Sequence, residues 1–432
     1  MKFNLTETIE SKFFMYIVSI IYKMLLDFSY VYFVYPLFEY AGFQLNISSS
    51  VYIFSWLIYL FIVFITPNIL TKLSDCFFSI FTFSVLAPLL SMYGLNYLLS
   101  FYPVGVSLIV FIVMRLMLYV SIFPRKIIYP YVKNGDFYFK FICIAMILYL
   151  ISWYFISGAV SNFNLDVSKV YDYRDVNAEL TNFGIFSYLN SWVSKVFSLS
   201  IMAYFLLKKN YYYFIFFLAI QIFFFGVSAH KSVLFSPLII IGIYFYLSRT
   251  KSLATFPLGF SILISLCLAT FYIYNDIVLS SIFIRRMFFI PSYLSFEYFN
   301  FFQDGRFAWW TNSFSFLGAP VYPEGIPQTV GNYLSIDEDG ARANNGFISS
   351  GFAQAGFIGV TLYTLLLVFI LKIIDSFSKS VGHSWFALCI LIVPLRSLLI
   401  SSDLLTVLLT HGLIVAIFLL FLLRKRNLNN AI

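Results

Sequence analysis

Residues 405–423 read LTVLLTHGLIVAIFLLFLL, and the RKR of 424–426 follows at once. About twenty apolar residues cross the roughly 30 Å hydrocarbon core of a bilayer as a helix. This stretch has that length. The basic cluster that ends it marks a cytoplasmic edge, because Lys and Arg are retained on that side. Comparable runs recur along the whole chain. Of its 432 residues 61% are hydrophobic, 22% aromatic and only 11% charged, with a mean hydropathy of +0.89. Soluble domains carry about 25% charged residues, and one oily tail on a globular enzyme cannot produce this average. The sequence predicts an all-α polytopic membrane protein.

Setting apolar runs against breakers gives about twelve transmembrane helices. They fall near 13–34, 51–70, 76–99, 103–123, 138–158, 186–207, 211–229, 233–248, 254–274, 353–373, 384–402 and 405–423. SAHKS at 228–232 either separates two helices or sits in a re-entrant segment. With the N-terminus inside, sixteen of the 27 Lys and Arg fall on cytoplasmic segments, among them Lys12, Lys72, Arg125, Lys126, Lys251, Lys379, Arg424 and Lys425. Short outside loops are nearly free of charge, Lys231 excepted, so both termini are expected inside. The net charge of +8 is therefore topological. No stretch reads as a basic recognition helix, and no nucleic-acid partner is expected.

The first apolar run is long, holds Lys23 and Asp27 and lacks a small-residue cleavage pattern, so no cleavable signal peptide is expected. Cys76, Cys143, Cys267 and Cys389 show no CxxC spacing and read as buried thiols. Lys23 and Asp27, spaced i, i+4, can pair on one helix face. Arg396, Asp403 and His411 read either as an ion or proton path or as structural charges.

Two segments, near 159–185 and over 275–352, exceed the usual loop length of about 15 residues and are assigned outside. The chain thus divides into 1–274, with nine helices and the shorter of these loops, then 275–352 as one large extracytoplasmic loop. Residues 353–432 supply three more helices and a basic cytoplasmic tail. EYFNFF (297–302) and RFAWW (306–310) are too aromatic for disorder, so function is expected in this large loop. The outer segments and turns hold a cationic set: Arg174 in VYDYRDV, His230 and Lys231 in GVSAHKS, Arg285 and Arg286 in IRRMFFIP, and Arg306 in QDGRFAWW.

Guanidinium groups grip phosphate oxygens with a planar fork, and an ammonium supplies a point charge. A membrane-embedded anion such as a lipid pyrophosphate would suit them. The plainer alternative is pairing with Asp172, Asp175, Asp276 or Glu297, or with lipid headgroups. In ARANNGFISSGFAQAGFIGV (341–360) the glycines Gly346, Gly351, Gly356 and Gly359 permit close helix packing. Asn344 and Asn345 stand at the mouth of that helix, placed either to donate to sugar or phosphate oxygens or to cap it. Asp337, Glu338 and Asp339 read as a solvated turn, so no metal site is expected. No Walker, GxSxG or HExxH sequence and no clear internal repeat is present.

VYDYRDV, GVSAHKS, IRRMFFIPSYLSFEYFNFF and ANNGFISSGFAQAGFIGV, in that order and on one membrane side, give the chain its likeness to a known family. It resembles the Wzy-type polymerases of O-antigen and capsule repeat units across the roughly twelve-helix layout. The resemblance implies glycosyl transfer at the outer face of the inner, cytoplasmic membrane. A growing glycan on undecaprenyl pyrophosphate would move onto a single lipid-linked repeat unit. It also implies no cofactor, since lipid pyrophosphate is already an activated leaving group, and a chain-length regulator and a flippase as partners. The chain departs from the Arg-x10-Gly spacing described for the family, because eleven residues separate Arg306 from Gly318 and nine separate Arg174 from Gly184.

On this reading Arg174, Arg285, Arg286 and Arg306 are the catalytic cations, and Lys231, His230, Asn344 and Asn345 bind substrate. Asp172, Asp175, His230 and Glu297 are the candidate general bases. A flippase and an O-antigen ligase are the competing functions.

Overall fold

The computed structural model describes residues 5–120, 130–166, 170–334 and 342–425. Lys2, Arg125, Lys126, Lys169 and Arg426, and the acids Asp337, Glu338 and Asp339, lie outside them. The described residues form an all-α membrane protein with no named strand, only two isolated bridges. Nine helices among them are long and apolar enough to cross a membrane, and Ser49–Ile65, Lys231–Leu247 and Ser384–Ile400 are shorter apolar helices. The apolar stretch of Leu73–Leu95 is 94% buried, against 28% for those of Gly135–Ile156 and Thr255–Tyr274. The first is therefore the bundle's centre and the other two its perimeter. Exposed apolar side chains such as Leu57, Ile109, Leu148 and Leu266 form the large outward surface expected of a protein that faces lipid.

Backbone contacts sort the helix ends into two sets. Lys12 Nζ donates to Val63 O at 3.0 Å, Leu70 N to Lys251 O at 2.7 Å, and Ser252 Oγ to Ile9 O at 2.7 Å. Ser74 Oγ donates to Asp375 at 2.6 Å, Lys425 N to Ser380 O at 3.2 Å, and Arg424 to Pro130 O. These contacts gather the start of the first described helices, the end of the last, and Lys12, Lys251, Arg424 and Lys425 at one end of the bundle. At the opposite end Asn46 N donates to Leu95 O, and Asn164 N to Gly226 O. SAHKS separates two helices, Tyr211–Ser228 and Lys231–Leu247, with Ala229 left-handed at φ 55°.

The segment expected as one large loop is substantially helical. Ile277–Phe301 forms a helix apolar enough to cross a membrane. Its start is fixed by Ser280 Oγ donating to Cys267 O at 2.7 Å, and its end by an edge contact between Phe299 and Tyr102 at 5.4 Å. Tyr102 opens the 102–120 helix, whose far half holds Arg115 against Asp75 at the basic end. Both ends of 277–301 therefore lie at the opposite end. Phe288, between them, meets Phe260 at 5.3 Å and Tyr22 at 6.0 Å, well inside the bundle.

The helix expected from 353 instead starts at Phe347 and is broken at Ala355 (φ −157°, ψ 35°) and Gly356 (φ 57°, ψ −136°). The break reverses the chain. A Cβ on Gly359 would lie 1.9 Å from Gly351 O, and one on Gly351 would lie 3.2 Å from Gly359 O. Residues eight apart in a continuous helix would be about 12 Å apart, so 347–354 and 357–363 are two arms of a hairpin crossing at those glycines. The first arm's final carbonyls would be orphans. Ala308 N and Trp309 N satisfy them, donating to Ala353 O at 3.0 Å and Gln354 O at 2.7 Å. Asn345 holds the arm's other end. Its Oδ1 accepts from Gly346 N at 2.8 Å, and its Nδ2 donates to Pro291 O, Ser295 Oγ and Ser349 Oγ at 3.0–3.2 Å.

Deep in the bundle Lys23, fully buried, donates to Asp27 at 3.2 Å and to Ser91 Oγ at 3.1 Å. Asp27 Oδ2 also accepts from Tyr52 OH at 2.9 Å and Trp56 Nε1 at 3.1 Å. The pair foreseen from the i, i+4 spacing is thus the centre of a network joining three helices. Arg396 and Asp403 do not share a helix. The 384–400 helix ends before Asp403, which caps Leu404–Leu422 by accepting from Leu405 N at 2.8 Å and takes Tyr363 OH at 2.8 Å.

Candidate functional site

Two broken helices meet inside the bundle. Within 185–207, Val193–Phe197 is a π-turn, whose extra residue shifts the backbone pairing. Gln221 steadies this turn. Its Nε2 donates to Ser194 O at 3.0 Å and Val233 O at 3.1 Å, while its Oε1 accepts from Ser198 Oγ at 2.6 Å. The second break lies in Leu404–Leu422, where helix stops at Leu409 and resumes at Leu413 after Gly412 at φ 75°. Trp192 Nε1 donates to Leu409 O across the gap. Irregular backbone at such depth is tolerated where it is buried in protein or lines a cavity.

Lys195 projects from the first break and His411 from the second. Lys195 Nζ lies 2.8 Å from His411 Nδ1, and His411 Nε2 lies 2.8 Å from Ser402 Oγ. An ammonium has only hydrogens to offer, so it donates to Nδ1. The ring proton is thereby assigned to Nε2, which donates to Ser402. Ser402 Oγ passes its own hydrogen to Ser401 O at 2.7 Å.

Above Lys195 opens a cavity of about 210 Å³. Asn177, Thr181 and Asn182 from the Val170–Thr181 helix and its end line one side. Asn190, Ser191, Ser194 and Lys195 line another, with Tyr154, Ser228 and His230 completing it. Among the described residues no carboxylate lines it. Its walls are braced from behind: Asn177 Nδ2 donates to Val227 O at 2.7 Å, and Asn190 Nδ2 to Thr181 O at 2.9 Å. Ser191 Oγ and Ser228 Oγ are buried without a hydrogen-bond partner among the described residues. The lining offers amides, hydroxyls and one ammonium. That set suits a polyhydroxyl ligand bearing an oxyanion.

His230 keeps accessible surface because it edges the cavity, yet protein crowds its other sides. Burial, then the charges of Lys195 and Arg174, push its imidazole down from 6.5 to about 4. A histidine lowered in the folded state contributes stability that is complete above pH 6.5 and lost as pH falls toward 4. Thermal unfolding should therefore drop between pH 7 and pH 5 more steeply in the wild type than in His230→Gln. Parallel pH profiles for the two would contradict this assignment.

Of the residues singled out from sequence, His230 lines the cavity, with Arg174 close enough to act on its charge. Arg174 itself pairs with Asp175 at 3.1 Å. Lys231, half-buried, opens the next helix. Arg285 lies over the Phe38 ring at 4.0 Å, and Arg286, Arg306 and Asn344 are exposed. None of these four lines the cavity. A ring contact between Phe235 and Phe283 at 5.2 Å joins the Lys231 helix to the turn carrying Arg285 and Arg286. Asn345 is used in holding the hairpin. The side chain of Asp172 lies outside the described residues; Glu297 is half-buried on 277–301, away from the cavity lining. Lys195 and Ser402 were not foreseen, and His411 was read only as part of an ion or proton path or as a structural charge, although a glycine directly after it inside an apolar run signals a break.

Among the described residues no group of three His, Cys, Asp or Glu could hold a metal ion. Comparison with known protein families, with characterised proteins and with solved structures gave no match.

Proposed function

We propose that the chain polymerises lipid-pyrophosphate-linked oligosaccharide repeat units on the outer face of the cytoplasmic membrane. The observation that carries this reading is the polar cavity at the end opposite the basic one, lined among the described residues by amides, hydroxyls, His230 and Lys195 and by no carboxylate. The positive-inside tendency assigns the basic end to the cytoplasm. The count of twelve crossings draws support from the start of the first described helices and the end of the last sharing that end, and from 277–301 beginning and ending at the other. An even number of crossings follows.

Glycosyl transfer passes through an oxocarbenium-like state while negative charge grows on the departing phosphate. A cation fixed beside that phosphate stabilises the transition state more than the ground state. His230 is the one of the four candidate bases whose described side chain lines the cavity, and that position favours it. Arg174 at the rim, and Arg285 and Arg286 beyond Phe283, would guide the anionic carrier inward. The cavity is small for a whole repeat unit and fits one sugar with its phosphate.

Glycan length profiling in a deletion strain tests this. Single repeat units capping the lipid are the expected result. Complete absence of transferred glycan would indicate a ligase, and accumulation of lipid-linked units on the cytoplasmic side a flippase.

A further inference from the structure

We propose that Lys195 binds an oxyanion of the substrate at the cavity floor, and that His411 and Ser402 are positioning residues that aim its ammonium there. The inference rests on the cavity being a substrate site, and it is independent of which reaction follows. Three observations on different groups carry it.

The first is charge. Lys195 forms none of the ion pairs found among the described residues. A cation this far along a membrane-embedded helix is costly without a counter-ion. No carboxylate among the described residues lines the cavity, and Lys195 stands on that lining, so the counter-charge is assigned to an incoming anion. The second is direction. The chain from Lys195 through His411 and Ser402 to Ser401 O runs one way, with the single hydrogens of His411 and Ser402 both committed. His411 thus acts as a fixed acceptor that occupies one ammonium hydrogen and leaves two for a ligand. The third is the pair of unpartnered hydroxyls, Ser191 and Ser228, buried on the same lining. An ammonium and two hydroxyls without partners among the described residues thus share one lining and supply donors for phosphate oxygens. Both helix breaks, at Val193–Phe197 and at Gly412, bring the cation and its support together.

Titration calorimetry of the full chain in nanodiscs, with inorganic pyrophosphate and with geranylgeranyl pyrophosphate, tests the proposal. Geranylgeraniol and sodium sulfate at matched ionic strength serve as controls. Lys195→Met should weaken pyrophosphate binding by about tenfold or more, the scale of losing a charge-assisted hydrogen bond. His411→Phe should weaken it similarly. His411→Asn should stay within a few-fold of wild type, because its amide oxygen can stand where Nδ1 stood. Should Lys195→Met fail to fold, the double variant Ser191→Ala, Ser228→Ala should still show a several-fold loss. Binding of both pyrophosphates assigns the site to phosphate in general, and binding of the prenylated one alone assigns it to the lipid carrier.

Wild-type affinity in Lys195→Met, or equal behaviour of His411→Asn and His411→Phe, would overturn the proposal. Sulfate competing as well as pyrophosphate would also overturn it, leaving an adventitious ion only. Pyrophosphate binding with no polymer made would sink the polymerase reading and leave this site standing. Normal polymer from Lys195→Met would do the reverse.

Discussion

Replacing Asp27 with alanine is expected to destabilise the protein by about 3–5 kcal/mol, the usual result of stripping one partner from a buried ion pair. Lys23 is fully buried and would keep only Ser91 as a polar partner, while Tyr52 OH and Trp56 Nε1 would lose their acceptor. Thermal unfolding in detergent, followed by size-exclusion fluorescence, reads the loss. The double replacement Lys23→Met, Asp27→Leu should recover much of it, since an apolar pair of similar volume removes both the charge and its need for a partner. A wild-type melting temperature for Asp27→Ala would show that the network contributes nothing. So would a double variant no better than the single.

The second large effect is expected at Gly359. A methyl group there would sit 1.9 Å from Gly351 O and 3.0 Å from its carbonyl carbon, both backbone atoms that no rotamer change can move. Gly359→Ala must therefore part the two hairpin arms. Overpacking of this kind costs on the order of 1–3 kcal/mol. It would also disturb the chain from Trp310 Nε1 to Tyr363 OH (3.0 Å) and on to Asp403 (2.8 Å). Gly242→Ala is the matched control. Nothing lies within 4 Å of its added Cβ, and its helical backbone accepts alanine. Melting temperatures should fall for the first variant and hold or rise for the second; equal values would refute the close crossing.

These two sites show what a sequence can and cannot carry. Lys23 and Asp27 sit one turn apart, so their pairing was legible, but Tyr52, Trp56 and Ser91 come from other helices and left no local sign. The spacing of Gly346, Gly351, Gly356 and Gly359 announced close packing. It could not say that the contact is between two arms of one hairpin, because hydropathy is the same for a crossing and for a reversal. The reversal is decided by the backbone angles at Ala355 and Gly356.

In the cavity the same limit applies. Nothing in the sequence sets Lys195 apart, since its partner His411 lies 216 residues away. A π-turn adds a residue to a helix without changing its composition, so nothing in SWVSKVFS (191–198) announces it. The arginines of the long segment drew attention for their charge. Charge alone cannot distinguish a residue that lines a cavity from one, like Arg285, spread over an aromatic ring.

The central claim is that the chain itself joins lipid-linked repeat units using the energy of the glycosyl–pyrophosphate bond, with the lipid pyrophosphate leaving intact. Purified protein in lipid vesicles, supplied only with a lipid-pyrophosphate-linked repeat unit and with EDTA present, tests it directly. The account predicts a ladder of products longer than one repeat, made without any sugar nucleotide. Unextended substrate, or extension that chelation abolishes and magnesium or manganese restores, would contradict it. The second outcome would move the reaction toward carboxylates such as Asp337, Glu338 and Asp339.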